Sequence, residues 1–170
     1  GRIVYQDLQR INMSIASGLF YDNQVLIGAI SHAKATGGNL HLMGLIGAGG
    51  VHSNIEHLFA LIELAHRYKF NKVFLHLFTD GRDSPPTAAK IYISRVREVM
   101  SKLGVGQIAS ISGRYWAMDR DMRWDRTAKA YFALTRGEGH LFKTPEEAID
   151  ASYAEGKTDE FIEPSLMTDG

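Results

Sequence analysis

Cysteine is absent from the 170 residues, which excludes a disulfide framework, thiolate metal ligands and a thiol nucleophile. Neither sign of charge is in excess: Lys plus Arg and Asp plus Glu number 19 each. A general polyanion binder needs a basic surplus to displace counterions, so no nucleic-acid partner is expected. No apolar run reaches the length of a bilayer span and no signal-peptide pattern is present; the expectation is a soluble, cytoplasmic chain without a membrane partner. Internal repeats, low-complexity tracts and a clear linker are missing too. A hydrophobic content of 45% is ordinary for one domain with a proper core.

What the chain does have is alternation. Apolar residues recur at helical spacing over 2–16 (Ile3, Leu8, Ile11, Ile15) and 24–36, where Gly37-Gly38 stops them, so 1–36 reads as a helical lead-in. The stretches 39–46, 72–78 and 107–112 read as strands, the second apolar enough for burial on both faces. Helices are predicted over 54–68, with Ser53 as N-cap and Glu56 completing a capping box, over 87–102 behind Pro85-Pro86, and over 122–135 and 144–155. Strands alternating with helices predict an α/β fold of three αβα layers around a mostly parallel sheet. Gly1 in place of an initiator Met and the abrupt end at Thr168-Asp169-Gly170 suggest a single domain, 1–170, excised from something longer.

Three polar turns follow the three predicted strands, at the ends where open α/β sheets bind ligands. The first, Gly47-Ala48-Gly49-Gly50-Val51-His52-Ser53, either cradles an anion with backbone N–H groups at a helix start or is a tight turn without a ligand. It lacks the third glycine of a dinucleotide fingerprint. In the second, Asp80-Gly81-Arg82-Asp83, Arg82 lies between two carboxylates that match its charge and leave its fork to a ligand. Asp83 can accept hydrogen bonds from hydroxyls or move a proton; the alternative is a charged turn with self-contained ion pairs.

The third turn opens the stretch Ser112 to Arg126, where Arg114, Arg120, Arg123 and Arg126 are interleaved with Asp119, Asp121 and Asp125 and with Tyr115, Trp116, Met118, Met122 and Trp124. Arginine's planar fork matches carboxylate and phosphate oxygens, so the stretch points to a small anion. Arg114 and Arg120 are placed to face it. Asp119 with Arg123 (i, i+4), and Arg126 beyond, fit a helix laced by its own ion pairs, and the two Trp residues fit core or wall. His76 reads as a buried, hydrogen-bonded core residue rather than a metal partner of Asp80. His41, His57, His66 and His140 carry no functional expectation, the last three as surface residues.

Gly49-Gly-Val-His-Ser53, His76-x-x-x-Asp-Gly-Arg-Asp83 and Ser110-x-Ser-Gly-Arg-Tyr-x-x-Met-Asp-Arg-Asp-x-Arg-Trp-x-Arg126, in that order, resemble the cofactor-independent (2,3-bisphosphoglycerate-independent) phosphoglycerate mutases. The resemblance runs over essentially the whole chain. Gly47-Ala48 stand where that family often has Ser-Asp or Ser-Pro, and Asn54 where it often has His. It implies the substrate-binding (phosphotransferase) domain of a two-domain enzyme that interconverts 3-phosphoglycerate and 2-phosphoglycerate through a phosphoserine. The nucleophilic serine and two manganese ions would belong to a phosphatase-like domain of the same polypeptide. His52, Arg82, Asp83, Arg114 and Arg120 would contact substrate, with no catalytic nucleophile and no metal ligand in this chain. A stand-alone anion-binding module without catalysis is the alternative.

Overall fold

The computed structural model describes Gly1 and residues 4–168. Seven α-helices are described: α1 (Asp7–Ala16), α2 (Gln24–Thr36), α3 (Ile55–Arg67), α4 (Ala89–Leu103), α5 (Arg114–Ala117), α6 (Trp124–Arg136) and α7 (Pro145–Ala154). Five strands are described with them: β1 (Leu40–Ile46), β2 (Val73–Thr79), β3 (Gln107–Gly113), β4 (His140–Phe142) and β5 (Ser165–Met167). The lead-in helix starts at Asp7, with Ile3 outside the described residues.

The strands form one sheet in the order β1-β2-β3-β5-β4. The first three run parallel, β5 lies antiparallel to β3, and β4 is parallel to β5. The fold is α/β, a mostly parallel sheet flanked by helices. The two short strands have no counterpart among the sequence expectations, because three residues are too few to display a period of two. A 3-10 turn over Asp159–Phe161 precedes β5.

Local chemistry accounts for several helix ends. Asn23 caps α2 by accepting from the N–H groups of Val25 and Leu26, and Gly37, at φ 69°, ends it in the left-handed conformation that costs glycine least. The cap of α3 is Asn54, which accepts from Glu56 N–H at 3.0 Å; the Ser53 hydroxyl, expected there, instead donates to the Leu45 carbonyl at 2.6 Å. Helix α4 begins two residues later than the prolines suggest. The Asp159 carboxylate accepts the N–H groups of Ala88 (2.9 Å) and Ala89 (2.8 Å) and so fixes the first turn there. No local pattern reveals a cap supplied from 70 residues away.

In β2 burial alternates: Val73, Leu75, Leu77 and Thr79 are buried, while Phe74, His76 and Phe78 between them are half-buried. The strand is therefore covered fully on one face only, where the sequence suggested both. Ile46, Ile55, Ile62, Leu64, Leu75, Leu77, Ile93, Ile111, Ile149 and Ile162 form the fully buried centre. Each such side chain contributes about 1.5–3 kcal/mol through loss of apolar surface to water. His76 is hydrogen-bonded, as expected, but only half-buried: Nδ1 lies 2.8 Å from Ser110 Oγ and Nε2 3.0 Å from His41 Nδ1. His57 is half-buried rather than on the surface, 2.7 Å from Asn12 Oδ1.

Candidate functional site: an arginine-lined cleft at three strand ends

Strand register brings the three turns together. Ile46 pairs with Thr79, and Thr79 with Gly113, so β1, β2 and β3 end at one level. The loop carrying His52 leaves β1, Asp80–Asp83 leaves β2, and Arg114 follows β3 directly. His52, Arg82, Arg114 and Arg120 line one cleft of about 100 Å³, together with Tyr115, Arg126 and Glu160. The fifth expected residue, Asp83, joins through its partners: its Oδ2 accepts from Arg114 Nη1 at 2.6 Å and lies 3.8 Å from His52 Nε2.

The arginine between the two aspartates is Arg114, not Arg82. Arg114 Nη1 donates to Asp80 Oδ1 and to Asp83 Oδ2, both at 2.6 Å. The Asp80 side chain is 3% exposed and that of Arg114 10%. Asp80 Oδ1 also accepts the N–H groups of Arg82 (3.3 Å) and Asp83 (3.1 Å), which tightens the turn. Burial pushes the Asp80 carboxyl up, but Arg114 and these N–H groups outweigh it and hold it below its ordinary 3.8. Arg82 is exposed, with Nη1 3.6 Å from Glu160 Oε1. Arg120 is exposed on the loop between α5 and α6.

The glycines of the first turn serve close packing of loops. A Cβ on Gly49 would collide with the Asp83 carbonyl, and one on Gly47 would lie 2.7 Å from Ser84 Oγ. Those glycines let the His52 loop lie against the Asp80–Ser84 turn.

Helix α6 starts only at Trp124, after Met122 turns the chain at φ 57°. The expected Asp119–Arg123 helical pair therefore does not form. Asp119 Oδ2 accepts the Arg123 backbone N–H at 2.8 Å, and its ionic partner is Arg126, 3.5 Å away. Trp124 is 70% exposed at the helix start, neither core nor wall. Trp116 is half-buried, and its Nε1 donates to the Phe161 carbonyl at 3.3 Å. The sequence reading missed Glu160 and Arg126 as cleft residues. Arg126 was hidden by its helical spacing, and Glu160 has no local signal.

Among the described residues, no three or more His, Asp or Glu side chains come together as a metal site. No helix is long and apolar enough to cross a membrane among them.

Fold and cleft define an α/β domain that presents arginines at the carboxyl ends of its parallel strands. The family described as BPG-independent PGAM N-terminus matches residues 11–170, and the chain belongs to it. It is 53% identical over 168 residues to the 2,3-bisphosphoglycerate-independent phosphoglycerate mutase of Moorella thermoacetica, covering 99% of this chain and 33% of that protein. To the enzyme of the same name from Symbiobacterium thermophilum it is 52% identical over 167 residues, covering 98% and 32%. A crystal structure of Leishmania mexicana phosphoglycerate mutase at low cobalt concentration superposes with a TM-score of 0.90 at 28% identity, covering 98% of this chain and 32% of that one. The chain thus spans about a third of the length of the relatives it matches.

Proposed function

We propose that the chain is the substrate-binding domain of a phosphoglycerate mutase that interconverts 3-phosphoglycerate and 2-phosphoglycerate through a phosphoserine, as a step of glycolysis and gluconeogenesis in the cytoplasm. The observation that carries this reading is the convergence of His52, Arg82, Arg114 and Arg120 from three strand ends on one cleft. Arg82, Arg114 and Arg120 hold the carboxylate and phosphate oxygens with planar forks. Asp83, fixed by Arg114 and beside His52, accepts from the glycerate hydroxyls. A glycerate gripped by its charges can re-present its other hydroxyl without leaving the cleft, and such positioning is a large part of phosphoryl-transfer catalysis. The serine nucleophile and the metal ions, two manganese ions in this proposal, belong to the phosphatase-like remainder of the polypeptide. The described residues assemble no donor set for them, and no step assigned to this chain runs through a metal.

Titration of the isotope-labelled chain with 3-phosphoglycerate tests the proposal. Amide and side-chain shifts are expected to cluster at His52, Arg82, Asp83, Arg114 and Arg120, with weak affinity because part of the site lies elsewhere. Shifts confined to another surface, or none up to tens of millimolar, would overturn it.

A further inference from the structure

Arg126 is the cleft residue with the least obvious reason to be where it is. It projects from the first turn of α6, yet its side chain is only 21% exposed. Its guanidinium carbon lies 3.9 Å from the centroid of the Tyr115 ring. Stacking of this kind occupies the face of the guanidinium and leaves its in-plane N–H donors available. Among the described residues, no acceptor makes a hydrogen bond with those donors. The nearest anionic atom, Asp119 Oδ1, is 3.5 Å from Nη1.

Asp119 is the other half of the arrangement. Its side chain is 3% exposed, Oδ2 accepts the Arg123 N–H, and Oδ1 is buried without a hydrogen-bond partner. A buried carboxylate oxygen in that condition depends on the nearest positive charge, and here that charge is Arg126. Water does not reach Oδ1, so a ligand does not either; the carboxylate anchors Arg126 rather than the substrate. Tyr115 is held in turn by Trp116 and Phe161, with ring centroids 5.0 and 5.2 Å away. One carboxylate thus ties the loop carrying Arg120 to the helix carrying Arg126.

We infer that Arg126 is a further arginine contact for the ligand's anionic oxygens, and that Asp119 and Tyr115 are the positioning residues that hold its donors toward the cleft. The inference rests on the proposed binding of a phosphorylated hydroxy acid in this cleft and adds a residue to it. An arginine already stacked and charge-anchored loses little freedom on binding, so its contact is more favourable than that of a mobile surface arginine.

The test uses the whole chain, with 3-phosphoglycerate and inorganic phosphate as probes and arginine Nε–Hε resonances as the readout. The Arg126 resonance is expected to shift on titration, and Arg126→Met to weaken 3-phosphoglycerate binding about tenfold. Arg136→Met is the control. Arg136 stacks on Phe132 from the same helix at 4.0 Å but does not line the cleft, and its loss is expected to leave affinity within about twofold. Asp119→Asn separates positioning from simple charge. Removing a negative charge beside an anion site would by itself tighten binding, whereas loss of the anchor for Arg126 weakens it. Weakening is expected; tightening would overturn the positioning role. Wild-type binding with a silent Arg126 resonance and an unaffected Arg126→Met variant would overturn this inference alone. Wild-type protein that binds neither probe would overturn it together with the proposed function.

Discussion

Arg114 serves the cleft and the fold at once. From the sequence it reads as an arginine at a strand end, placed to face a ligand. In the structure one nitrogen is committed to Asp80 and Asp83 at 2.6 Å each, in surroundings where Asp80 is nearly inaccessible. Taking away one partner of a buried pair leaves the other charge without compensation, which costs several kcal/mol. Arg114→Met is therefore expected to destabilise the chain by on the order of 3 kcal/mol at neutral pH, as well as to abolish ligand binding. The pH dependence identifies the cause. In the wild type the depressed Asp80 contributes stability that is complete above its ordinary 3.8 and is lost as pH falls through its lower folded value. In the variant the buried carboxylate has no arginine to hold it low, so its ionisation costs stability as pH rises. The gap between the two denaturation midpoints should be widest near pH 7 and narrow below about pH 4. A gap independent of pH would show that lost packing, not the orphaned carboxylate, is responsible.

At the scale of elements, the cleft depends on how closely the segment 159–162 approaches the end of β3. Gly113 N–H donates to the Ile162 carbonyl at 2.7 Å. A Cβ on Gly113 would lie 2.6 Å from the Glu160 carbonyl carbon and 2.8 Å from the Ile162 nitrogen. Its φ of −66° suits any residue, so glycine is required here by space and not by conformation. The same segment is tied down by Asp159, whose carboxylate caps α4 and accepts from the Tyr153 hydroxyl of α7, while its carbonyl accepts from the Thr79 hydroxyl at 2.7 Å. Because neither backbone can yield independently, Gly113→Ala should destabilise by at least about 2–3 kcal/mol. It should also weaken ligand binding, since Arg114 follows at once and Glu160 lies beside Arg82. A thermal melt and a 3-phosphoglycerate titration of the variant check both effects. Unchanged affinity with lowered stability would mean that the cleft does not depend on this approach.

At the scale of the whole molecule, the chain is proposed to provide binding and positioning for a reaction whose nucleophile and metals lie elsewhere in the polypeptide. Purified chain given 3-phosphoglycerate with Mn²⁺ or Co²⁺ is accordingly expected to form no 2-phosphoglycerate. Sustained turnover that disappears in the Arg114→Met variant would overturn that division of labour. The sequence by itself determined the α/β alternation, because helices and strands of 7 to 15 residues are long enough to show their periods. It also determined which charged residues gather at the strand ends, since arginine, histidine and aspartate cluster there within short turns. Only the tertiary structure decided which charges meet. Arg114 reaches Asp80 and Asp83 across 34 and 31 residues, Asp159 caps α4 from 70 residues away, and Arg126 lies against Tyr115 because Met122 breaks the helix that local spacing suggests. Those pairings follow from strand register and loop packing, which fix distances that no local pattern of residues contains.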